Sequence, residues 1–181
     1  MLSMTASIRP AVNDAATVSA LADILVQTVA GGGSVSFMHP LAPSDAEAFW
    51  RTSLAAADRG ERVVLCAWSE DLLAATVTLL LDTPPNQPHR SEIAKLMTRP
   101  SHRGRGIAKA LMMEAERLAL ERQRTLLTLD TAQEDGAAAL YESVGFHRAG
   151  LIPDYALKPH GGLTGTILYW KRLGVCASKP G

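Results

Sequence analysis

Arg99, His102, Arg103 and Arg105 crowd around Gly104 and Gly106 in the stretch RPSHRGRGIAKAL, residues 99–111, which then turns apolar at helical spacing. Basic side chains, two glycines and the start of a helix are the ingredients of an anion site. A helix N-terminus offers unpaired backbone N–H groups and the positive end of its dipole, and glycine lets a phosphate come close to the backbone. The segment is not a Walker A loop, which needs G-x-x-x-x-G-K-[ST]. Nor is it a dinucleotide fingerprint, because Lys109 stands where the third glycine should be. The same residues also suit an ordinary strand-to-helix turn whose basic side chains sit in water, so the elements around the loop must decide.

Those elements alternate along the chain. A short strand is expected at residues 5–9. The stretch VNDAATVSALADILVQTVA then spaces Val18, Leu21, Ala22, Leu25 and Val29 by three and four residues, as an amphipathic helix does. Glycines at 31–33 end it. A second helix, SDAEAFWRTSLAAADRG, opens on a Ser44 cap, keeps Phe49, Leu54 and Ala57 on one side, and stops at Gly60. The runs RVVLCAW and LLAATVTLLL form a hairpin of buried strands, and the proline-rich DTPPNQPH is a loop. SEIAKLMT alternates Ile93, Lys95 and Met97 with Glu92, Ala94 and Leu96 before Pro100 halts it, which makes it a strand leading into the basic loop. Beyond Gly106, Ile107, Leu111, Ala115 and Leu118 mark a long helix. TLLTLD reads as a buried strand, DGAAALYESVG as a short helix closed by Gly145, and FHRAGLI and GTILYWKRL as two last strands. The order is βααβββαβαββ. The long helix is a crossover, so at least one strand pair is parallel and the sheet is mixed. Ligands bind such sheets at the carboxyl ends of strands, where the basic loop lies.

Composition narrows the function. The 181 residues, 47% of them hydrophobic, suit one domain over residues 1–173, with 174–181 as a flexible tail. Lys and Arg total 18 against 18 Asp and Glu. Zero net charge and few aromatics give no footprint for nucleic acid and no attraction to an anionic membrane. No apolar run reaches the roughly 20 residues that span a bilayer, and MLSMTASIRP lacks the order of a secretory signal, so a cytoplasmic location is expected. Cys66 and Cys176 have neither metal-ligand spacing nor a disulfide framework, and no metal is expected.

Arg103-Gly104-Arg105-Gly106-Ile107-Ala108 resembles the [RQ]-x-x-G-x-[GA] motif of the GCN5-related N-acetyltransferases (GNAT), on the strand-to-helix turn where that family carries it. The opening IRPAVNDA, and Tyr141 four residues before Gly145-Phe146, match the same family in order and interval. Within it, GGGSVSFMHPL, EIAKLMTRPSHRGRG, LLTLDT and IPDYALKPHGGL are similar to the tabtoxin-resistance branch. The resemblance implies an α/β (α+β) GNAT fold: a central mixed, mostly antiparallel sheet of about six to seven strands flanked by four helices. It implies acetyl-CoA as co-substrate and a small-molecule primary amine, such as a β-lactam amino acid, as acceptor.

The same resemblance distributes the roles. Arg103, Gly104, Arg105, Gly106, Ile107 and Ala108 would hold the pyrophosphate. Leu96, Met97 and Thr98 would pair with the pantetheine arm as an added strand, with a backbone N–H near Met97 facing the oxyanion. Tyr141 would be the general acid toward the leaving thiolate, because a phenol with a pKa of about 10 keeps its proton at neutral pH. Glu92 and Asp130 are the candidate bases for the attacking ammonium; Glu92 opens the strand that presents the thioester and has the better claim, although either carboxylate also suits a solvated strand end. Phe37, His39, Asp154 and Tyr155, with His160, are candidates for acceptor selection. Phe37 and Trp50 equally suit the core, and His39 an exposed turn. Cys66, inside an apolar strand, is no acyl carrier, so transfer is expected to be direct. A peptide N-acetyltransferase and a silent acetyl-CoA-binding module are the rival functions, and the apolar late strands lean toward a homodimer.

Overall fold

The computed structural model describes residues 6–174. The start of the predicted first strand at Thr5, Cys176 and all but the first residue of the predicted tail fall outside that range. The elements are β1 (Ser7–Pro10), α1 (Ala15–Ala30), α2 (Pro43–Asp58), β2 (Arg62–Ser69), β3 (Leu72–Leu80), β4 (Arg90–Thr98), α3 (Ile107–Glu121), β5 (Leu126–Ala132), α4 (Ala138–Ser143), β6 (His147–Leu157) and β7 (Leu163–Arg172). The strands form a seven-stranded sheet in the order β1-β2-β3-β4-β5-β7-β6. Every neighbouring pair is antiparallel except β4 and β5. The mixed, mostly antiparallel sheet with four helices is therefore the one expected.

Two apolar layers hold the helices to the sheet. β2 is buried on both faces. Val63, Leu65 and Ala67 pack with Ile107, Leu111 and Ala115 of α3, whereas Val64 and Cys66 pack with Leu21 and Leu25 of α1 and Trp50 and Leu54 of α2. Successive strand residues point to opposite faces, so one continuous apolar run serves both layers. Trp50 is fully buried, which settles it as core.

Four local expectations are corrected. Ser44 does not cap α2: the helix starts one residue earlier at Pro43, after Ala42, and no side chain caps it. Proline at the first helical position already lacks the N–H that a cap would satisfy, and its φ is preset. The buried stripe of α2 runs through Ala46, Trp50, Ser53, Leu54 and Ala56, leaving Phe49 and Ala57 only partly covered. β6 continues past residue 152 through the segment read as a loop; residues 153–155 bulge opposite Gly165, with Asp154 at φ 52°. A strand containing Pro153 is tolerated there because β6 is the edge of the sheet. Asp130 lies inside β5 rather than at its end, since β5 runs to Ala132.

One irregularity positions everything that follows. β4 and β5 pair only at Arg90↔Leu126, Ser91↔Leu127 and Glu92↔Thr128. Beyond these, β4 stays with β3 and β5 stays with β7, and the two strands part.

Candidate active site

The parted strands open a cavity of about 510 Å³. Its walls are residues 93–98 of β4, Asp130, Thr131 and Ala132 of β5, Tyr141 of α4, residues 31–36 after α1, and Tyr155, Thr164 and Thr166 of the β6–β7 hairpin.

β4 carries a bulge at the cavity. Thr78 pairs with Ala94 and Thr76 with Met97, so Lys95 and Leu96 together oppose Val77, and Lys95 takes φ 52°. Beyond the bulge, Arg99 N–H donates to Ala74 O at 2.9 Å. Backbone groups in an antiparallel ladder alternate sides, so the amide of Met97 also faces β3 while those of Thr98 and Leu96 face the cavity. The Thr98 carbonyl accepts from Arg103 Nε at 3.4 Å, as that alternation requires. Of the backbone N–H groups near Met97 that could face a reacting carbonyl, those of Leu96 and Thr98 are therefore the candidates, since the amide of Met97 itself faces β3.

The basic loop is built on backbone conformation. A single 3₁₀ turn, Pro100–His102, leads to Gly104 at φ 72° and Gly106 at φ 77°, the residue before α3. A Cβ at either glycine would meet nothing within 4 Å, so their need for glycine is the left-handed backbone, and the space above them is open. Among the described residues, the N–H groups of residues 104–109 have no backbone acceptor, and no side chain caps α3. Arg103 N–H is taken by Pro100 O at 3.3 Å, so the free N–H groups lie one residue further along than the 103–108 expected. Arg103 and Arg105 are exposed. Arg99 is not part of this cradle. It is only 7% exposed, its Nε donates to Leu73 O at 2.6 Å, and its Nη2 pairs with Asp23 of α1 at 2.6 Å.

Tyr141 is buried on the cavity wall against Tyr169 and Phe146, with ring centroids 5.6 and 6.2 Å away. The short α4 is held in place by Phe146 N–H donating to Tyr141 O at 3.0 Å and Lys171 Nζ donating to Val144 O at 2.7 Å. Burial pushes the Tyr141 phenol up to about 12, opposed by a hydrogen bond with Thr131. Asp130 reaches the same cavity, and its Oδ2 accepts from Thr166 Oγ1 at 3.0 Å. Glu92 is not brought to it. It sits where the strands part, ion-paired to Arg90 at 3.2 Å, outside the lining.

Of the four candidates for acceptor selection, Tyr155 lines the cavity; Phe37, His39 and Asp154 do not. Phe37 packs edge-on against Phe49 at 5.1 Å. His39 is exposed and stacks on His160 at 4.4 Å, its N–H donates to Pro159 O at 2.9 Å, and His160 Nε2 lies 3.0 Å from Ala30 O. These contacts clasp the segment after α1 to the β6–β7 hairpin. Three charged lining residues carry no site reading from the sequence: Lys95, Glu134 and Asp135. Glu134 is ion-paired to Lys158 at 3.1 Å. Burial raises the pKa of Asp135, and a hydrogen bond from the Ser34 backbone opposes this. The sequence signal of Lys95 is a charge between the apolar pairs of IAKLM. Cys66 is buried, which pushes its thiol up to about 12. Among the described residues, no cluster of His, Cys, Asp or Glu is arranged to hold a metal ion, and no helix is long and apolar enough to cross a membrane.

Comparison with known proteins agrees with this fold. Human N-acetyltransferase 8B is 34% identical over 90 residues, covering 47% of this chain and 40% of that protein. Mouse N-acetyltransferase 8F1 is 27% identical over 116 residues, 61% of this chain and 47% of that protein. The chain thus spans less than half the length of these curated relatives. Among solved structures, the ribosomal-protein-alanine N-acetyltransferase of Brucella melitensis superposes with a TM-score of 0.79 at 24% identity, covering 92% of this chain and 99% of that one. The GNAT-superfamily phosphinothricin acetyltransferase of Sinorhizobium meliloti, solved in complex with acetyl-CoA, gives 0.78 at 25% identity, covering 98% and 94%. Residues 33–146, which hold the parted strands, the glycine loop and Tyr141, match the acetyltransferase (GNAT) family, and the chain belongs to that family.

Proposed function

We propose that the protein is an acetyl-CoA-dependent N-acetyltransferase that moves an acetyl group directly to the primary amine of a small molecule. The observation that carries this reading is the parted β4–β5 edge, which runs into six N–H groups without backbone acceptors at residues 104–109 and has the Tyr141 phenol and Asp130 carboxylate on its wall. A diphosphate fits the open, positively polarised turn at Gly104 and Gly106. Peptide-like amides fit the cavity-facing backbone of Leu96 and Thr98 as an added strand.

When bound, acetyl-CoA would supply the acetyl thioester; the remaining work falls to this chain. The N–H of Leu96 or Thr98 faces the reacting carbonyl, an effect worth about 3 kcal/mol in other enzymes. Tyr141 keeps its proton across the neutral range. A phenol near 12 holds that proton more tightly than a thiol near 8.5, so Tyr141 acts on the leaving sulfur as a hydrogen-bond donor. Asp130, oriented by Thr166, accepts the ammonium proton directly or through water. Glu92, paired with Arg90, is the weaker candidate base.

Small acceptors are favoured over peptides by the clasp between His39 and His160, which joins two walls of the cavity. The likeness to the tabtoxin-resistance branch and to a phosphinothricin acetyltransferase points to amino-acid-like toxins or antibiotics as the acceptor class. The test is CoA release from acetyl-CoA with small amines, amino acids, a β-lactam amino acid and peptides. Turnover confined to small amines is expected. Turnover confined to peptides would replace this acceptor class, and tight acetyl-CoA binding without turnover would favour a silent binding module.

A further inference from the structure

Lys95 has no task in the proposed reaction, yet the fold commits an irregularity to it. Its left-handed backbone, φ 52°, is uncommon for any residue but glycine, and it forms the bulge opposite Val77 at the cavity. Bulges of this kind re-aim side chains beside active sites. The ammonium is brought to neutral partners only: Nζ donates to Ser36 Oγ at 3.0 Å and lies 5.9 and 5.8 Å from the ring centroids of Phe37 and Phe49. Among the described residues no carboxylate forms an ion pair with it. Burial lowers its pKa; Asp130 and Glu92 oppose that without reaching it.

A half-buried ammonium with one neutral acceptor retains two donors and an uncompensated charge. It lines the same cavity as Asp130, but from the other parted strand: Lys95 is three residues past the last β4–β5 pair on β4, and Asp130 is two past it on β5. Arg103, Glu134 and Asp135 also line the cavity; Glu134 is ion-paired to Lys158 at 3.1 Å, and burial favours the protonated form of Asp135. A plain amine would answer the carboxylates and leave the Lys95 charge unanswered.

We propose that Lys95 binds a carboxylate, or an equivalent anionic group, on the acceptor, and that the acceptors are zwitterionic, amino-acid-like amines. This rests on the transferase reading above. The ammonium end is directed toward Asp130, where its proton is accepted, while the anionic end fixes orientation at Lys95 and stays unreacted.

The experiment measures kcat/KM for α-, β- and γ-amino acids and for their carboxamides, with wild type, Lys95→Met and Lys95→Arg. Wild type should prefer at least one acid over its amide by about tenfold or more. Lys95→Met should bring that ratio to about one, chiefly through the acceptor KM, with the acetyl-CoA KM unmoved; Lys95→Arg should retain part of the preference. Equal losses on acids and amides in Lys95→Met would overturn the proposal, as would a preference that survives the substitution. If wild type turns over no acceptor, the transferase reading is what fails. Lys95 is then judged by NMR of 13Cε-labelled lysine titrated with acetate: a shift of the signal missing in Lys95→Met supports the anion site, and no shift overturns it.

Discussion

Arg99 and Arg103 are four residues apart in one basic stretch, and the structure gives them opposite jobs. Replacing Arg99 with Met removes its 2.6 Å bond to Leu73 O and its 2.6 Å pair with Asp23. The Leu73 carbonyl, on a residue 1% exposed, loses a charged donor, which costs roughly 1–3 kcal/mol. Breaking a fully buried ion pair costs about 3–5 kcal/mol, but Asp23 is 55% exposed and rehydrates, so this part falls to about 1 kcal/mol. Together they amount to about 2–4 kcal/mol, or a Tm lower by about 4–16 °C in a chain of this size. Arg103→Met should move Tm by no more than about 2 °C, since Arg103 is exposed. It should instead raise the acetyl-CoA KM about two- to fivefold through a lost phosphate contact. Thermal unfolding by circular dichroism and CoA-release kinetics on both variants give the two readouts. A stable Arg99→Met with a raised acetyl-CoA KM would refute this division of labour.

Tyr141→Phe keeps the ring contacts with Tyr169 and Phe146, so it should lower kcat about 100-fold with Tm nearly unchanged; an unchanged kcat removes Tyr141 from the chemistry. Because that phenol is pushed up to about 12, no alkaline fall of wild-type kcat below about pH 11 should be traceable to it, and the pH profile of Tyr141→Phe should keep the wild-type shape. Burial raises the pKa of Asp135 above its ordinary value of 3.8, so folding favours its protonated form. That preference is fully present below about pH 4 and is lost as pH rises through the raised value. Asp135→Asn should therefore be more stable than wild type at pH 7 in urea unfolding, with the gain shrinking toward pH 4; a loss at pH 7 would contradict the sign. Cys66, at about 12 and buried, should resist iodoacetamide at pH 8 in a Cys176→Ser background until the protein unfolds; rapid native labelling would show the β2 core to be open.

The helices, the strand order and the glycine loop could be read because each is written locally. Apolar spacing marks α1 and α3, and Gly104 and Gly106 sit where only a left-handed backbone closes the turn. Tyr141 was legible through its interval to Gly145 and Phe146. What escaped depends on partners distant in sequence. Arg99 is structural only because Asp23 and Leu73 come to it. Lys95 looked like one member of a regular alternation, and its bulge exists only against the register of β3. Ser44 resembled a cap until Pro43 took the first helical position, and the extension of β6 through Pro153 needed the knowledge that β6 is an edge. Glu92 has the better claim as base in the sequence because it opens the strand before the basic loop; the point where β4 and β5 part leaves Glu92 off the cavity wall and puts Asp130 on it.

Backbone amide exchange read by mass spectrometry, with and without acetyl-CoA, tests the account most directly. Acetyl-CoA should slow exchange at residues 96–98 and 104–109, whose N–H groups include those facing the cavity or lacking backbone acceptors, and leave β1 and β2 unchanged. Binding that protects some other segment, or no binding at millimolar acetyl-CoA, would contradict the assignment of the parted strands and the glycine turn as the cofactor site.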